Sequence, residues 1–88
     1  MPIYAMTYDL NNQKNYPKIT AELERLKCHR AALSFWLGNF NNTTDEILNH
    51  FKGFIDTDDT LIVAKTSIAD IKTYKARAGT SDWIKANS

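Results

Sequence analysis

If the stretch PIYAMTYDL, residues 2–10, forms a strand, its side chains point alternately to the two faces of the sheet. Both of these sets of side chains are largely apolar. Those two sets are Ile3, Ala5 and Thr7 on one face and Tyr4, Met6, Tyr8 and Leu10 on the other. A strand that is apolar on both faces is covered on both faces. The stretch therefore predicts a strand inside the sheet, and Asp9 marks the place where that strand leaves it.

The next segments predict a turn and then a helix. Asn11-Asn12-Gln13 forms a polar turn, and Pro17 suits the first turn of a helix because its missing N–H has no intrahelical partner there. Apolar residues then recur at spacings of four and three residues: Ile19, Leu23 and Leu26. We predict a helix over residues 16–27.

The middle of the chain predicts one long strand or two short strands, followed by a second helix. The stretch AALSFWLGNF, residues 31–40, lacks a helical period and is closed by Asn41-Asn42. Thr43 and Glu46 have the spacing of a capping box, so a helix begins there and ends near Gly53.

The last third predicts a turn, a strand and a terminal helix. DTDD at 56–59 is a turn and TLIVAK at 60–65 is a strand. Residues 67–79 fit either an edge strand or a helical turn. TSDWIKAN at 80–87 predicts a short helix capped by Thr80 or Ser81.

This element order predicts a single domain over residues 1–88 with a ferredoxin-like α+β sandwich, in which two helices cover one face of an antiparallel sheet. The other face would then expose aromatic and aliphatic side chains to water. A sheet-to-sheet homodimer covers that face. A hydrophobic ligand under a lid would cover it too, but few residues remain to build the lid.

Composition narrows the classes of function. Eleven Lys and Arg residues against ten Asp and Glu residues leave a net charge of +1, which does not support a protein that lives mainly on phosphate contacts. Cys28 is the single cysteine, so it has no partner for an internal disulfide. No stretch is apolar over the length of a membrane span, and we expect a cytoplasmic protein without a membrane partner.

Two places are candidate sites. Asp9 is either a turn residue that caps backbone N–H groups or a ligand of magnesium or manganese, the hard cations that carboxylates hold. The most basic stretch, IKTYKARAG at 71–79, places Lys72, Lys75 and Arg77 around Tyr74. Cations beside an aromatic ring can follow a single strand of RNA or DNA and stack one base. The alternative is a solvated sheet edge whose charges prevent pairing between edges.

The sequence lacks the patterns of a calcium or zinc site, of a catalytic cysteine and of a phosphate-binding loop. The DTDD turn lacks the glycine and glutamate of a calcium-binding EF-hand loop. His29 and His50 lie far apart without a second Cys-His pair, so a zinc site is not indicated. Cys28 has no motif that would orient a base beside it, and the chain has no glycine-rich loop for phosphates.

Five features in order resemble the SinR-like and VapD-like relatives of the CRISPR-associated Cas-two family over about residues 3–86. They are YAMTYDLN at 4–11, Ser-x-Trp at 34–36, TTDEILNHF at 43–51, DTDDTLIVAK at 56–65 and Trp-Ile-Lys at 83–85. The resemblance implies a ferredoxin-like homodimer. It also implies that Asp9 matches an aspartate at the dimer seam, where two copies hold a divalent metal, magnesium or manganese, for phosphodiester hydrolysis.

The resemblance leaves two functions open. CRISPR-type members follow the aspartate with clustered arginines, whereas NNQKNYPK at 11–18 has two lysines and no arginine. This difference favours a non-enzymatic dimeric module that needs no cofactor and binds nucleic acid or a protein of a phage-defence or toxin–antitoxin system. The second hypothesis is a metal-dependent ribonuclease or deoxyribonuclease that uses paired Asp9, and the VapD-like relatives suggest a ribonuclease toxin.

Overall fold

The computed structural model describes residues 2–9 and 17–88. These residues form a small α+β unit with an antiparallel sheet of four strands and three α-helices. The elements are β1 (Ile3–Asp9), α1 (Pro17–Arg25), β2 (His29–Ala32), β3 (Phe35–Asn39), α2 (Thr44–Lys52), β4 (Thr60–Thr66), a 3₁₀ turn (Ile68–Asp70) and α3 (Thr80–Ala86). No helix among them is long and apolar enough to span a bilayer.

The strand order is β2-β3-β1-β4, and β1 pairs antiparallel with both of its neighbours. The order confirms that the first strand lies inside the sheet. Helix α1 connects β1 to β2, and helix α2 connects β3 to β4. In each case a third strand lies between the two connected strands, as in split βαβ units. The fold is therefore compatible with the predicted ferredoxin-like sandwich.

The first face of the sheet carries the hydrophobic core. Side chains of β1 and β3 pack there with side chains of α1 and α2. The buried members of this cluster are Tyr4, Met6, Tyr8, Ile19, Leu23, Trp36, Ile47 and Phe51. Two helices on one face agree with the sequence-based prediction, because the apolar stripes of both helices join a single core.

The second face is partly covered by α3, which the sequence analysis predicted as a helix but did not place. His29 and Asn39 lie on this face, because they pair with Leu37 and Ile3. The His29 ring lies 2.7 Å from Thr80 Oγ1, and Asn39 Nδ2 donates to Asn87 Oδ1 at 2.9 Å. These contacts hold α3 over β2 and β3, and Leu37 of β3 and the neighbouring Ile3 of β1 are buried on this face.

The expected open face is therefore reduced to a strip that runs from β3 across β1 to β4. Phe35 and Ile62 remain 38% and 55% exposed, and both pair with Thr7 of the central strand. Paired residues of an antiparallel sheet lie on the same face. Phe35, Thr7 and Ile62 thus form one partly apolar strip, which we call the uncovered strip.

The helix ends follow local hydrogen bonding. The capping box of α2 is confirmed: Thr43 N–H donates to Glu46 Oε1 at 2.8 Å, and Glu46 N–H donates to Thr43 Oγ1 at 3.1 Å. Helix α1 ends at Arg25 rather than at 27, because Lys27 adopts the left-handed conformation at φ 65. Cys28 N–H then reaches Leu23 C=O, which closes a Schellman motif.

The predicted cap of α3 is wrong. Gly79, at φ 91, occupies the N-cap position instead of Thr80 or Ser81. Thr80 Oγ1 donates to Arg77 C=O at 2.7 Å and lies beside His29, so its side chain faces the sheet rather than the helix end. Glycine at 79 suits the left-handed turn that brings Thr80 inward.

Residues 29–40 form two strands joined by a turn at 33–34, which decides between the two sequence-based alternatives. The register of β2 shifts between Arg30 and Ala32, as in a β-bulge. Residues 67–79 contain the 3₁₀ turn and no strand, which agrees with the helical-turn alternative at 68–70. The polar turn predicted at 11–13 lies outside the described residues.

Candidate nucleic-acid interface

The basic segment, residues 71–79, reaches the free side of β2. Arg77 N–H donates to Ala31 C=O at 3.1 Å, so the segment crosses the sheet edge formed by β2. The four residues predicted to contact nucleic acid are exposed: Lys72, Tyr74, Lys75 and Arg77. The structure thus presents all four side chains to solvent on one short segment.

Tyr74 is the most exposed aromatic ring that the structure shows on this segment. Its exposed fraction is 86%, and Lys75 Nζ lies 5.3 Å from the ring centroid, within cation–π range. Lys75 has the left-handed backbone conformation at φ 55, which is uncommon for a residue with a side chain. The ring and the ammonium group together offer a stacking surface next to a positive charge.

Arg30 joins the basic segment at a shallow cleft beside β2. Arg30 and Arg77 line this cleft with Cys28, His29 and Trp36. The fold brings Arg30 and Arg77 to the same cleft, so Arg30 extends the basic segment. Lys18, exposed on α1, does not line the cleft, and Lys14 lies outside the described residues.

Contacts with Trp36 and Tyr8 hold the Arg30 guanidinium in place. It lies 5.0 Å from the Trp36 ring centroid, and its Nη2 donates to Tyr8 Oη at 3.2 Å. Trp36 Nε1 donates to the same oxygen at 3.4 Å. Among the described residues, the buried Arg30 Nε has no hydrogen-bond partner. A planar guanidinium fixed in this way suits recognition of a phosphate oxygen.

The cleft is not purely basic. Glu24 also lines it, and Asp82 lies with Lys75 and Arg77 along the neighbouring surface. Since the whole chain has a net charge of only +1, any attraction for phosphates is confined to the β2 edge. The arrangement can position a short piece of backbone but does not provide a long positive track.

Asp9 occupies a different part of the molecule. It is the last residue of β1, exposed, and paired with Thr60 at the start of β4. It therefore lies on the second face, next to the uncovered strip. Within the described residues, Asp9 belongs to no cluster of three metal-ligating side chains. A magnesium or manganese site at this position would draw on the same residue from a second copy.

The acidic turn brings Asp56, Asp58 and Asp59 together, with carboxylate oxygens within 4.8 Å of one another. The turn has its own internal bonds: Asp56 N–H donates to Asp59 Oδ2 at 2.8 Å, and Asp59 N–H donates to Asp56 C=O at 3.1 Å. These bonds agree with the turn predicted from the sequence.

Cys28 and the two histidines have structural contacts. Burial raises the pKa of the Cys28 thiol to about 12, and the nearby Glu22 charge adds to that shift. A thiol with that pKa is a poor nucleophile near neutral pH. Thr80 gives its own proton to Arg77 C=O, so His29 Nε2 donates to Thr80 Oγ1. His50 donates instead to Glu22 Oε2 at 2.6 Å, away from this site.

The supporting role of Tyr8 and Trp36 was missed by the sequence analysis. Both side chains are buried, and their polar atoms meet beneath Arg30. The available signal was the polar group on each apolar ring, since a buried Tyr or Trp needs a hydrogen-bond partner.

The chain matches no protein-family model and has no significant match among solved structures.

Proposed function

We propose that this chain is a small dimeric module of the cytosol that binds single-stranded nucleic acid at the β2 edge. The observation that carries the proposal is the cleft shared by Arg30 and Arg77 beside the exposed Tyr74–Lys75 pair. Two cations can hold adjacent phosphates while Tyr74 stacks a base. The resemblance of the sequence is our reason for proposing phage defence or a toxin–antitoxin system as the setting.

Single strands fit this surface better than a duplex does. The basic segment is short and lies across a sheet edge, whereas a duplex groove is normally entered by a helix or a two-stranded ribbon. An exposed tyrosine can stack on an unpaired base but has no access to bases that are stacked within a helix. We therefore expect binding to depend on unpaired nucleotides.

The test is fluorescence anisotropy with labelled single-stranded RNA and DNA and with the matching duplexes. We expect Tyr74→Ala to weaken binding to single strands by about 1–3 kcal/mol, the usual contribution of one stacked base. Arg77→Ala and Arg30→Ala should weaken it as well and make it less sensitive to salt, because a phosphate contact is lost. Lys52→Ala, exposed on α2, is the matched control.

Equal affinities for all these variants would reject the β2 edge as the nucleic-acid site. If the protein bound no nucleic acid, the same exposed segment would remain a candidate contact surface for a protein. Stronger binding to the duplex than to the single strand would contradict the stacking role of Tyr74.

A second candidate function is a metal-dependent endonuclease that uses Asp9 from two copies. The position of Asp9, exposed beside the uncovered strip, supports it, because a sheet-to-sheet dimer would cover this region. Labelled RNA and DNA should then be cut with magnesium or manganese, and cutting should stop with EDTA or with Asp9→Asn. Cleavage that continues in Asp9→Asn would reject this candidate, and so would the absence of cleavage under every condition.

A further inference from the structure

Strand β4 forms one edge of the sheet and is regular over its whole length. All seven of its residues pair with β1 in a continuous register, from Asp9↔Thr60 to Ile3↔Thr66. Among the described residues, no strand pairs with its outer side. The opposite edge differs, because β2 is irregular at its bulge and is met by Arg77. A regular, bulge-free edge is a template for another strand.

We propose that β4 pairs with β4 of a second copy of this chain, antiparallel and centred on Val63. This register uses all seven residues, because Val63 is the middle residue of the strand. It places Leu61 opposite Lys65 of the second copy, Ile62 opposite Ala64 and Thr60 opposite Thr66. The two sheets then become one continuous sheet of eight strands.

The charges of β4 agree with this register. Lys65 is the one charged residue of the strand, and it never faces Lys65 of the second copy. It lies level with Leu61, beside the groove that Leu61 shares with Asp56 and Asp59 of the acidic turn and with Lys52, so two carboxylates there outnumber one ammonium group. The two-fold symmetry forms this contact twice. Opposite charges across paired strands stabilise a sheet, whereas like charges directly opposite destabilise it.

The apolar surface also continues across the new contact. Ile62, 55% exposed, would lie against the second copy's Ala64 on the same face as Thr7 and Phe35. The uncovered strips of the two copies then adjoin. Burying exposed apolar area against a second copy is favourable, and the backbone bonds of both edges are satisfied at the same time.

Edge pairing is a different contact from the sheet-to-sheet dimer. In the Val63-centred register the two Asp9 residues are separated by three strand spacings across the sheet and six residues along it. Typical strand dimensions make these separations about 14 Å and about 20 Å. Paired Asp9 carboxylates therefore cannot share a metal ion in the edge dimer. The sheet-to-sheet dimer allows the two Asp9 carboxylates to share a metal ion, whereas the edge dimer does not.

Disulfide trapping in a Cys28→Ala background tests the register. Opposite residues of antiparallel strands have Cα separations that a disulfide accepts. Under mild oxidation, Val63→Cys should form covalent dimers about tenfold or more faster than Leu61→Cys, whose copies are not opposite each other. Equal rates for the two variants would overturn the proposal, as would a monomeric mass at the concentration used.

A mixed pair gives a second measurement that does not depend on Val63, which is partly buried. Equimolar Thr60→Cys and Thr66→Cys proteins should form the heterodimer in preference to either homodimer, as mass spectrometry would show. A statistical mixture of products would overturn the proposal. Phe35→Glu, two strands away from the edge, should leave the trapping unchanged, and loss of trapping in that variant would assign the contact to the sheet face instead.

Discussion

Glu22 shows how one polar residue of α1 becomes part of the protein interior. Arg25 donates to it through Nε at 2.7 Å and Nη2 at 2.6 Å, and His50 donates from α2. The side chain is buried, although the sequence places it among the polar residues of the helix. Hydrogen bonds from Arg25 first, and then from His50, lower the pKa of the carboxyl to about 2.

This shift predicts an acid-dependent loss of stability. The folded state holds Glu22 ionised, so the unfolded chain takes up the proton first as the pH falls. The contribution is complete above the ordinary carboxyl pKa of 4.5 and is lost as the pH falls toward 2. Glu22→Gln should therefore melt below the wild type at neutral pH, and the gap should close over that interval in circular dichroism melts.

Glu24→Gln, exposed on the same helix, is the matched control and should melt close to the wild type at neutral pH. A gap for Glu22→Gln that stays constant from neutral pH to pH 2 would show that the carboxylate is not the stabilising form.

Cys28 should be unreactive in the folded protein. Its thiol has a pKa of about 12 because it is buried, so thiolate is scarce at neutral pH. A disulfide reagent such as dithionitrobenzoate should label it slowly in buffer and completely in denaturant. Rapid stoichiometric labelling of the native protein would contradict the raised pKa of this thiol.

At the scale of elements, Gly38 determines how β3 meets the core. A Cβ there would lie 2.5 Å from Phe40 Cε2 and 3.0 Å from both Cys28 Sγ and Met6 Cε. Gly38 itself is buried, so an added methyl group has to displace these side chains. The absent side chain allows an aromatic ring, a thiol and a thioether to close over the strand.

Gly38→Ala should therefore destabilise the fold by about 1–3 kcal/mol, as overpacking of a filled core does. Urea denaturation would measure the change in the free energy of unfolding. Gly53→Ala is the control, because its Cβ would meet only His50 O at 3.5 Å and its backbone is already helical. Equal losses in the two variants would mean that the close contacts at Gly38 are not the cause.

The elements with local signals were predictable from the sequence. The capping box at Thr43 and Glu46 locates the start of α2, and short apolar runs locate β1 and β4. The ends of α1 and α3 were less predictable, because Lys27 and Gly79 take left-handed conformations that depend on what the next residues contact. His29 draws Thr80 inward from 51 residues away, and no local pattern carries that information.

At the scale of the whole molecule, the sequence predicted that a second copy covers the second face, and it did not place α3 there. Helix α3 takes the β2–β3 side, which reduces the exposed apolar area to the uncovered strip. Similarly, the basic segment could be found from its composition, whereas its meeting with Arg30 depends on the hydrogen bond between Arg77 and Ala31. Contacts between distant parts of the chain were the unpredictable component.

The proposed sheet-to-sheet dimer has a direct check. One chain has a mass of 10.1 kDa, and light scattering at micromolar concentration should give about twice that value. A sheet-to-sheet dimer predicts that Phe35→Glu, which adds a charge to the uncovered strip, shifts the mass toward that of one chain, whereas the edge dimer predicts no shift. A wild-type mass of one chain throughout would reject dimer formation at this face, and an unchanged dimer in Phe35→Glu would assign it to another surface.

The central position of β1 has a consequence for the speed of folding. Both of its partners come much later in the chain: Met6 pairs with Trp36 in β3 and with Val63 in β4. Each pairing has to close a loop of tens of residues before any of its hydrogen bonds form. The β2–β3 hairpin closes locally, so we expect it to form early and the sheet to be completed in a slower step on the millisecond-to-second scale of folds rich in nonlocal pairings.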